Sequence, residues 1–443
     1  MWWPFSRKYP ERSPEDVDCR EYDYVVVGGG TAGCVVASRL SEDPNISVLV
    51  IERGPANDLW FSRIPIVSSN ILRSDGGATS WNCEPMAHCG GRKTLFFRAE
   101  VLGGGSRINS MVYTRGSPAD YDSFVHAAVA LGFPIISDAN APDAPLDGVC
   151  QLDSTVNASN QRVSTMDAFL SREIALKRKN NLDVCTNAIL SKIVFSDPKE
   201  SGQPRANKVS FKYTDSKKED LFIAKVRREV IVCSGAIWSP QPLMLSGIGP
   251  KAHLEQLSIP VVKDLPGVGS ELVYKSLATL SLSSASKVTL TYSLDRSFGR
   301  TSRLGGTHQR ILDRIASSPV TKGAIEFFKY LLFRTGLLSM PVQALTLFLR
   351  SSSLNKEGNR LESRVSKDST KLPPQALVPD LEIMPLATSA CDDLEEHYRV
   401  FDKIRVFSSL ATLLQPKSRG TVRLASSKPH DRPKIDFGIL SNP

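Results

Sequence analysis

Three glycines close to the amino terminus have the spacing of a phosphate-binding turn. Gly28, Gly30 and Gly33 stand in the order Gly-x-Gly-x-x-Gly. In such a turn the first glycine permits a tight bend, the second lets a pyrophosphate approach the bare backbone, and the third lets a helix pack closely on a strand. The helix amino terminus then offers N–H groups and partial positive charge to the phosphates. Taken alone, the spacing also fits a glycine-rich turn that binds nothing.

An acidic residue at the right distance makes the phosphate-binding interpretation more specific. A second apolar strand, Ser47–Ile51, ends at Glu52, which lies 24 residues after Gly28. A carboxylate in this place can accept hydrogen bonds from the hydroxyls of a ribose, and it disfavours a ribose that carries a phosphate. The sequence therefore predicts a dinucleotide site for FAD or NAD rather than for NADP.

The elements that must position these residues follow one another in the order of a βαβ unit. The strand Tyr24–Val27 runs into the glycine turn, a helix is predicted over Cys34–Leu40, and the strand ending at Glu52 comes next. Later apolar segments are also predicted as strands: Leu182–Cys185, Ile189–Phe195, Lys208–Tyr213 and Glu229–Cys233. The last of these runs into Ser234-Gly235-Ala236, which is predicted as another strand-to-helix junction. This order predicts an α/β fold with a Rossmann-like sheet.

Other segments carry weaker structural predictions. A second glycine run, residues 103–105, is predicted to open a helix, and residues 162–177 are predicted to form one helix with an apolar face. Residues 134–150 are rich in Pro, Asp and Ala and are predicted to be a connecting loop. Beyond about residue 270, alternating segments such as 288–292 and the short strand candidate Pro379–Met384 indicate an antiparallel sheet.

The composition excludes several classes of function. The 443 residues carry a net charge of +9, but the basic residues form no stripe with interleaved aromatic side chains, so we expect no nucleic-acid partner. The eight cysteines and six histidines lack the spacing of a zinc site, and we expect no metal. Charged residues and a proline interrupt the apolar stretch Ile325–Leu349, so we expect no membrane span. The start of the chain lacks the apolar core of a secretory signal, which favours a cytoplasmic location.

Several separated segments resemble the glucose–methanol–choline (GMC) oxidoreductases, and they look closest to the fungal alcohol oxidase and dehydrogenase branch. These segments occur in the family's order: Tyr24–Gly54, Val101–Gly116, Gly235–Pro250, Leu265–Gly269 and Pro416–Phe437. The resemblance implies FAD as the cofactor. It also implies a discontinuous FAD-binding domain over residues 22–124 and 150–270, after an arm of residues 1–21. A substrate domain, α+β with an antiparallel sheet, would then cover residues 271–443.

The resemblance also assigns roles to individual residues. The pyrophosphate would lie on the first turn, Glu52 would bind the adenosine ribose, and Ile189 would hold the adenine through backbone atoms. The second glycine segment would lie along the flavin, and Ala236 would lie near the cofactor at a strand end. The complete set of implied cofactor residues is Gly28, Gly30, Thr31, Ala32, Gly33, Glu52, Gly103, Gly104, Asn109, Ser110, Met111, Val112, Ile189 and Ala236.

The family's reaction implies that a small-molecule alcohol, primary or secondary, gives a hydride to the flavin, which then reduces oxygen or another acceptor. The sequence departs from the family pattern where the catalytic histidine would stand, because Pro443 comes directly after the segment that normally precedes it. None of the six histidines matches that position, so the catalytic residue is unassigned, and loss of the missing segment would impair activity. Two alternatives stay open at this point: a non-redox flavin-fold cyclase of secondary metabolism, and an inactive, truncated paralogue.

Overall fold

A computed structural model describes most of the chain and divides it into two compact units. The described residues are 8–68, 77–111, 128–138, 141, 147–151, 154–197, 203–275, 277–283, 320–339, 345–355, 379–386 and 406–442. The first unit comprises the described residues within Met1–Asn109, Gln161–Tyr274 and Lys417–Pro443, and the second those within Ser110–Asn160 and Lys275–Pro416. The roles that the sequence assigns to its domains, cofactor binding and substrate binding, stay predictions.

The strands are numbered in chain order. They are β1 (Glu21–Val27), β2 (Val48–Ile51), β3 (Ala78–Asn82), β4 (Leu95–Ala99), β5 (Ile135–Ile136), β6 (Gly148–Gln151), β7 (Leu182–Cys185), β8 (Ala188–Phe195), β9 (Ala206–Tyr213), β10 (Phe222–Val232), β11 (Ile248–Gly249), β12 (Lys263–Asp264), β13 (Leu277–Ser283), β14 (Leu345–Leu349), β15 (Leu381–Leu386), β16 (Val406–Leu413), β17 (Thr421–Arg423) and β18 (Lys434–Asp436).

The α-helices among the described residues are short, apart from two. They are Pro14–Val17, Thr31–Leu40, Pro65–Ser68, Thr165–Phe169, Arg172–Lys177, Gly235–Trp238, Pro240–Leu245, Lys251–Gln256 and Val320–Phe333. Single 3-10 turns are formed by Trp60–Arg63, Ala87–Cys89, Gly104–Arg107, Leu337–Ser339 and Ser351–Ser353. None of the helices in these described ranges has both the length and the apolar character needed to cross a membrane.

The first unit is built on a six-stranded sheet with the order β7-β2-β1-β10-β9-β8. The four strands β7, β2, β1 and β10 are parallel, whereas β9 and β8 are antiparallel to their neighbours. In chain order the parallel strands are the third, second, first and fourth, which matches the first four positions of the Rossmann strand order. The α/β fold class predicted from the sequence is therefore confirmed.

Alternating side chains of this sheet bury two apolar cores, one on each face. Val25 and Val27 of β1 face one core together with Phe211 and Phe222. Val26 faces the other core, and the helix Thr31–Leu40 contributes Cys34 and Ala37 to it. Because every residue of β2 is buried, the strand is a continuous apolar run, as expected for a parallel strand that is covered on both faces.

The second unit contains another six-stranded sheet, with the order β13-β16-β15-β14-β6-β5. Its strand pairs are antiparallel except for β5 and β6. The predicted antiparallel sheet is thus confirmed, although the segment 288–292 lies outside the described residues. The prediction of a connecting loop over residues 134–150 is wrong in part, because β5 and most of β6 fall inside it. Their pairing puts Val149 of β6 opposite Leu347 of β14 in a buried cluster.

Two helix predictions also need correction. Residues 103–105 do not open an α-helix, because Gly103 and Gly104 both have positive φ angles (92° and 52°), which a right-handed helix excludes. They lead into one 3-10 turn, Gly104–Arg107. Residues 162–177 form two helices instead of one, since Leu170 leaves the helical conformation and the Ser171 side chain caps the second helix.

Candidate cofactor site

The first glycine turn joins β1 to the helix Thr31–Leu40. Gly28 has a φ angle of 98°, and a Cβ atom there would stand 2.8 Å from the carbonyl oxygen of Cys233, so both the bend and the neighbouring strand end require glycine. A Cβ atom on Gly33 would overlap the carbonyl oxygen of Gly28. These two glycines therefore act through packing within the protein.

Gly30 differs from its neighbours in the turn. Its φ angle is −77°, which any residue can adopt, and a Cβ atom on it would meet no protein atom closer than 3.9 Å. Neither the backbone conformation nor the protein packing accounts for a glycine here. The missing side chain instead leaves the backbone open toward a cavity, as a bound pyrophosphate would require.

Glu52 directly follows β2. Its side chain is buried, and each of its two carboxylate oxygens accepts a hydrogen bond from the backbone. One carboxylate oxygen accepts a hydrogen bond from the N–H of Gly29 (2.7 Å), and the other accepts one from Gly54 (2.8 Å). Burial raises the pKa of this carboxyl group, and the two N–H donors oppose the increase. The carboxylate therefore holds the glycine turn in place, and each oxygen keeps further acceptor capacity for a ribose hydroxyl.

The second glycine segment packs directly against the first. The N–H of Gly103 donates to the carbonyl oxygen of Gly29 (2.7 Å), and a Cβ atom on Gly104 would stand 2.7 Å from the Cα atom of Gly30. The hydroxyl oxygen of Thr31 also accepts a hydrogen bond from the N–H of Ser106 (3.2 Å). Two loops that are distant in the sequence thus form one continuous backbone surface.

Hydrogen bonds from two buried arginines, Arg107 and Arg162, hold the second glycine segment in place. Arg162, only 1% exposed, donates to the carbonyl oxygen of Ser106 (2.8 Å) and to the side-chain and main-chain oxygens of Asn109 (2.6 and 2.5 Å). Arg107 donates to the carbonyl oxygen of Asn57 (2.7 Å) and to the Ser62 hydroxyl (2.9 Å). Burial lowers the pKa of both guanidinium groups. Asn109 is therefore fixed in the structure by Arg162, whose role the sequence did not reveal.

A cavity of about 590 Å³ lies where β1, β2 and β10 end, with Val27, Ile51 and Val232 in its wall. The carboxyl ends of parallel strands are the usual place for a ligand in such a sheet. The implied cofactor residues that line this cavity are Gly28, Gly30, Thr31, Ala32, Glu52, Gly104, Ile189 and Ala236. The structure thus brings together residues from five separate segments of the chain.

The remaining implied residues lie elsewhere. Gly33, Gly103 and Asn109 belong to the same unit but support the turns without lining the cavity. Ser110 and Met111 belong to the second unit, and Val112 lies outside the described residues. Their contact with a cofactor stays a prediction.

Among the side chains of the cavity wall that the sequence did not predict are Arg53, Arg98 and Trp238. Each has at least one buried nitrogen with no hydrogen-bond partner among the described residues. Burial lowers the pKa of the Arg98 guanidinium, and the pKa of Arg53 is lowered for the same reason. The position of Arg53 directly after Glu52 was the one available sign, since an arginine near this position holds the 2′-phosphate of the ligand in NADP sites.

Of the three histidines within the described ranges, none lines the cavity. His253 accepts a hydrogen bond from the N–H of Leu424 (3.0 Å), His430 pairs with the carbonyl oxygen of Tyr213 (2.8 Å), and His88 is exposed. We assign the proton acceptor of a redox reaction to none of them. His126, His308 and His397 lie outside the described residues.

Comparison with known proteins agrees with the geometry. A family model for GMC oxidoreductases matches residues 22–125 and 118–276, which is more than half of the chain. The oxygen-dependent choline dehydrogenase of Burkholderia multivorans is 32% identical over 309 residues, which cover 57% of this chain and 52% of that protein. The chain therefore spans about half the length of the curated relatives it matches.

Solved structures show the same fold. A formate oxidase superposes with a TM-score of 0.70 at 20% identity, over 96% of this chain and 78% of the other. A fungal aryl-alcohol oxidase superposes with a TM-score of 0.68 at 21% identity, over 95% and 79% of the two chains. With the glycine turns and Glu52 on one cavity, the sequence match identifies the chain as a member of the GMC oxidoreductase family, whose cofactor is FAD.

Proposed function

We propose that this chain binds FAD in the cavity at the ends of β1, β2 and β10 and belongs to an enzyme that oxidises a primary or secondary alcohol. The observation that carries the proposal is the convergence of both glycine turns and Glu52 on one wall of that cavity. The choline dehydrogenase and aryl-alcohol oxidase relatives support an alcohol as substrate, whereas the formate oxidase widens the class of possible substrates.

The residues of the cavity fit FAD. Gly30 leaves open the space that a pyrophosphate needs, and the exposed start of the helix at Thr31 and Ala32 adjoins it. Glu52 lies in the wall of the same cavity, with acceptor capacity for a ribose. The cavity volume of about 590 Å³ falls within the range of ordinary ligand sites.

When bound, FAD would supply the hydride acceptor that no side chain can provide. The chain's own contribution in this part of the site is binding and orientation. The turn at Gly28–Gly30 would fix the phosphates, Glu52 would fix the ribose, and the segment held by Arg162 would extend the same backbone surface along the ligand. Because this backbone surface is already formed without the ligand, we expect binding to cost little conformational entropy.

Spectroscopy of the purified chain tests the proposal. The chain is mixed with FAD, freed of unbound cofactor and titrated without oxygen with choline, an aryl alcohol and formate. Bleaching of the flavin absorbance by either alcohol supports alcohol oxidation. Bleaching by formate alone would indicate formate as the substrate instead of an alcohol. Retained flavin that no alcohol bleaches would contradict alcohol oxidation, and failure to retain any flavin would contradict the cofactor site itself.

A further inference from the structure

Arg53 is a largely buried cation in the cavity wall, with a side chain that is 20% exposed, and its donors lack acceptors. Its Nε and Nη1 atoms are buried and have no hydrogen-bond partner among the described residues. The nearest carboxylate oxygen, on Glu100, is 3.5 Å from Nε, which permits an ionic attraction but not a good hydrogen bond. Both nitrogens are closed off from the cavity, so a ligand there can reach the guanidinium only through Nη2, which is not enclosed and makes no hydrogen bond among the described residues. A guanidinium in a cavity wall with no acceptor at any nitrogen indicates a ligand with acceptor atoms.

The orientation of Arg53 is fixed by stacking. Its guanidinium carbon lies 4.1 Å from the centre of the Trp238 ring. Trp238 meets Trp81 edge to face, with ring centres 4.8 Å apart, and Arg432 covers the Trp81 ring at 4.4 Å. Because both tryptophans are nearly buried, the planar group of Arg53 is held in a preformed position at the cavity wall.

The backbone around Arg53 is fixed as well. The carbonyl oxygen of Arg53 accepts a hydrogen bond from the Thr214 hydroxyl (2.7 Å), and the N–H of Ala188 donates to the carbonyl oxygen of Glu52 (3.0 Å). The second of these contacts brings the start of β8, including Ile189, beside the end of β2. Arg53 and Ile189 therefore line the same cavity as Glu52.

The order of groups in a dinucleotide decides what lies next to Arg53. With the phosphates on the turn at Gly28–Gly30 and a ribose on Glu52, the next group outward is the base. Adenine carries ring nitrogens that accept hydrogen bonds and have no hydrogen of their own. The unpaired donors of Arg53 have the chemistry that such acceptors need.

We propose that Arg53 is a direct ligand of the adenine ring of FAD, donating a hydrogen bond from Nη2 to an adenine ring nitrogen while it stacks on Trp238. This inference rests on the cofactor site proposed above. It adds side-chain recognition of the base to the binding of the ribose and pyrophosphate.

Binding measurements on the cofactor-free protein test this role. Arg53→Met keeps an apolar stem on Trp238 and removes every donor, and Arg432→Met is the matched control because it removes the other cation from the same tryptophan pair. Affinities for FAD, ADP and FMN are measured by calorimetry. We expect Arg53→Met to weaken FAD and ADP about tenfold to a hundredfold, as for a hydrogen bond from a charged donor, and to leave FMN, which lacks adenine, unchanged. Arg432→Met is expected to leave all three unchanged.

Unchanged FAD and ADP affinities in Arg53→Met, or an equal loss for FMN, would overturn the proposal, since the second pattern is that of a general charge effect. If Arg53→Met does not fold, ADP analogues that replace single ring nitrogens by C–H are compared on the natural chain. One of them must bind more weakly than ADP, and equal binding of all would overturn the proposal. A natural chain that binds neither FAD nor ADP would overturn the cofactor site as well, which separates the two failures.

Discussion

Gly30 and Gly33 are expected to respond differently to substitution, although they stand in the same motif. A side chain on Gly30 would enter the cavity, whereas one on Gly33 would overlap the Gly28 carbonyl oxygen. We therefore expect Gly30→Val to abolish FAD binding with little change in the stability of the cofactor-free protein. Gly33→Ala is expected to lower the free energy of unfolding by about 1–3 kcal/mol. Thermal melting without FAD and an FAD titration measure the two effects.

Gly267→Ala serves as the control for this pair, because a Cβ atom there meets nothing within 4 Å. It should change neither stability nor binding. If Gly30→Val destabilised the cofactor-free protein as much as Gly33→Ala, the glycine at position 30 would be required by the packing of the protein itself and not by a bound pyrophosphate. If Gly30→Val bound FAD normally, the pyrophosphate could not lie where we place it.

At the same scale, residue spacing by itself could predict only those site residues whose partners are near in the chain, whereas Gly104, Ile189 and Ala236 came from the family resemblance. The glycine spacing and Glu52 fall within one βαβ unit, so their roles follow from local order. The buried partners of Arg162 are main-chain and side-chain oxygens of Ser106 and Asn109, and the stacking partner of Arg53 is Trp238. Such contacts exist only after distant segments have folded together, and no spacing in the sequence encodes them.

Among the elements of the first sheet, Asp23 links three strands through one carboxylate. It accepts hydrogen bonds from the N–H and hydroxyl of Ser47 (2.8 and 2.9 Å), just before β2, and from Arg227 of β10 (3.0 Å). Burial by itself would raise the pKa of Asp23, but the bonds from Ser47 and Arg227 outweigh it and lower this pKa to about 2. The ionised carboxylate is therefore part of what holds β1 between its neighbours.

We expect Asp23→Asn to lower the free energy of unfolding at neutral pH by about 1–3 kcal/mol, because a charge-assisted acceptor is lost. Since the pKa of this group is lower in the folded than in the unfolded chain, its contribution is complete above the unfolded value of 3.8 and is lost as the pH falls toward about 2. The difference between the two proteins should therefore shrink over that interval. Urea unfolding at a series of pH values measures it.

The exposed Asp220, in the loop between β9 and β10, provides the control through Asp220→Asn. This variant should match the natural chain at every pH. An Asp23→Asn protein that is as stable as the natural chain at neutral pH would show that the bonds to Ser47 and Arg227 contribute nothing net to the sheet.

The elements themselves were predictable where a local pattern specifies them. The strands and helix of the opening βαβ unit agree with the structure to within a few residues. The loop expected over residues 134–150 contains β5 and most of β6 because the pairing of β6 with β14 compensates for a sequence that favours turns. The single helix expected over residues 162–177 is divided at Ser171, a capping residue within an otherwise helical pattern.

At the scale of the whole molecule, the described cavity residues all belong to one of the two compact units. That unit is assembled from three stretches of chain, and its last stretch contributes β17 and β18. The bridge between Leu272 and Gly420 and the buried contact of Phe437 with Phe96 connect this stretch to earlier segments. A ligand bound in the cavity should therefore stabilise the whole unit, whose fold depends on segments that are distant in the sequence.

We expect FAD to raise the melting temperature of the chain in a concentration-dependent way. A ligand that binds only the folded state, at a free concentration of 100 times its dissociation constant, adds about 2.7 kcal/mol to the free energy of unfolding. For a unit of this size, that free energy corresponds to an increase of roughly 5 to 10 °C. Melting curves over a series of FAD concentrations measure the effect, with Gly30→Val as the variant that should show none. A melting temperature that does not change with FAD in the natural chain would mean that the cavity does not bind the cofactor, because linkage requires any ligand specific for the folded state to stabilise it.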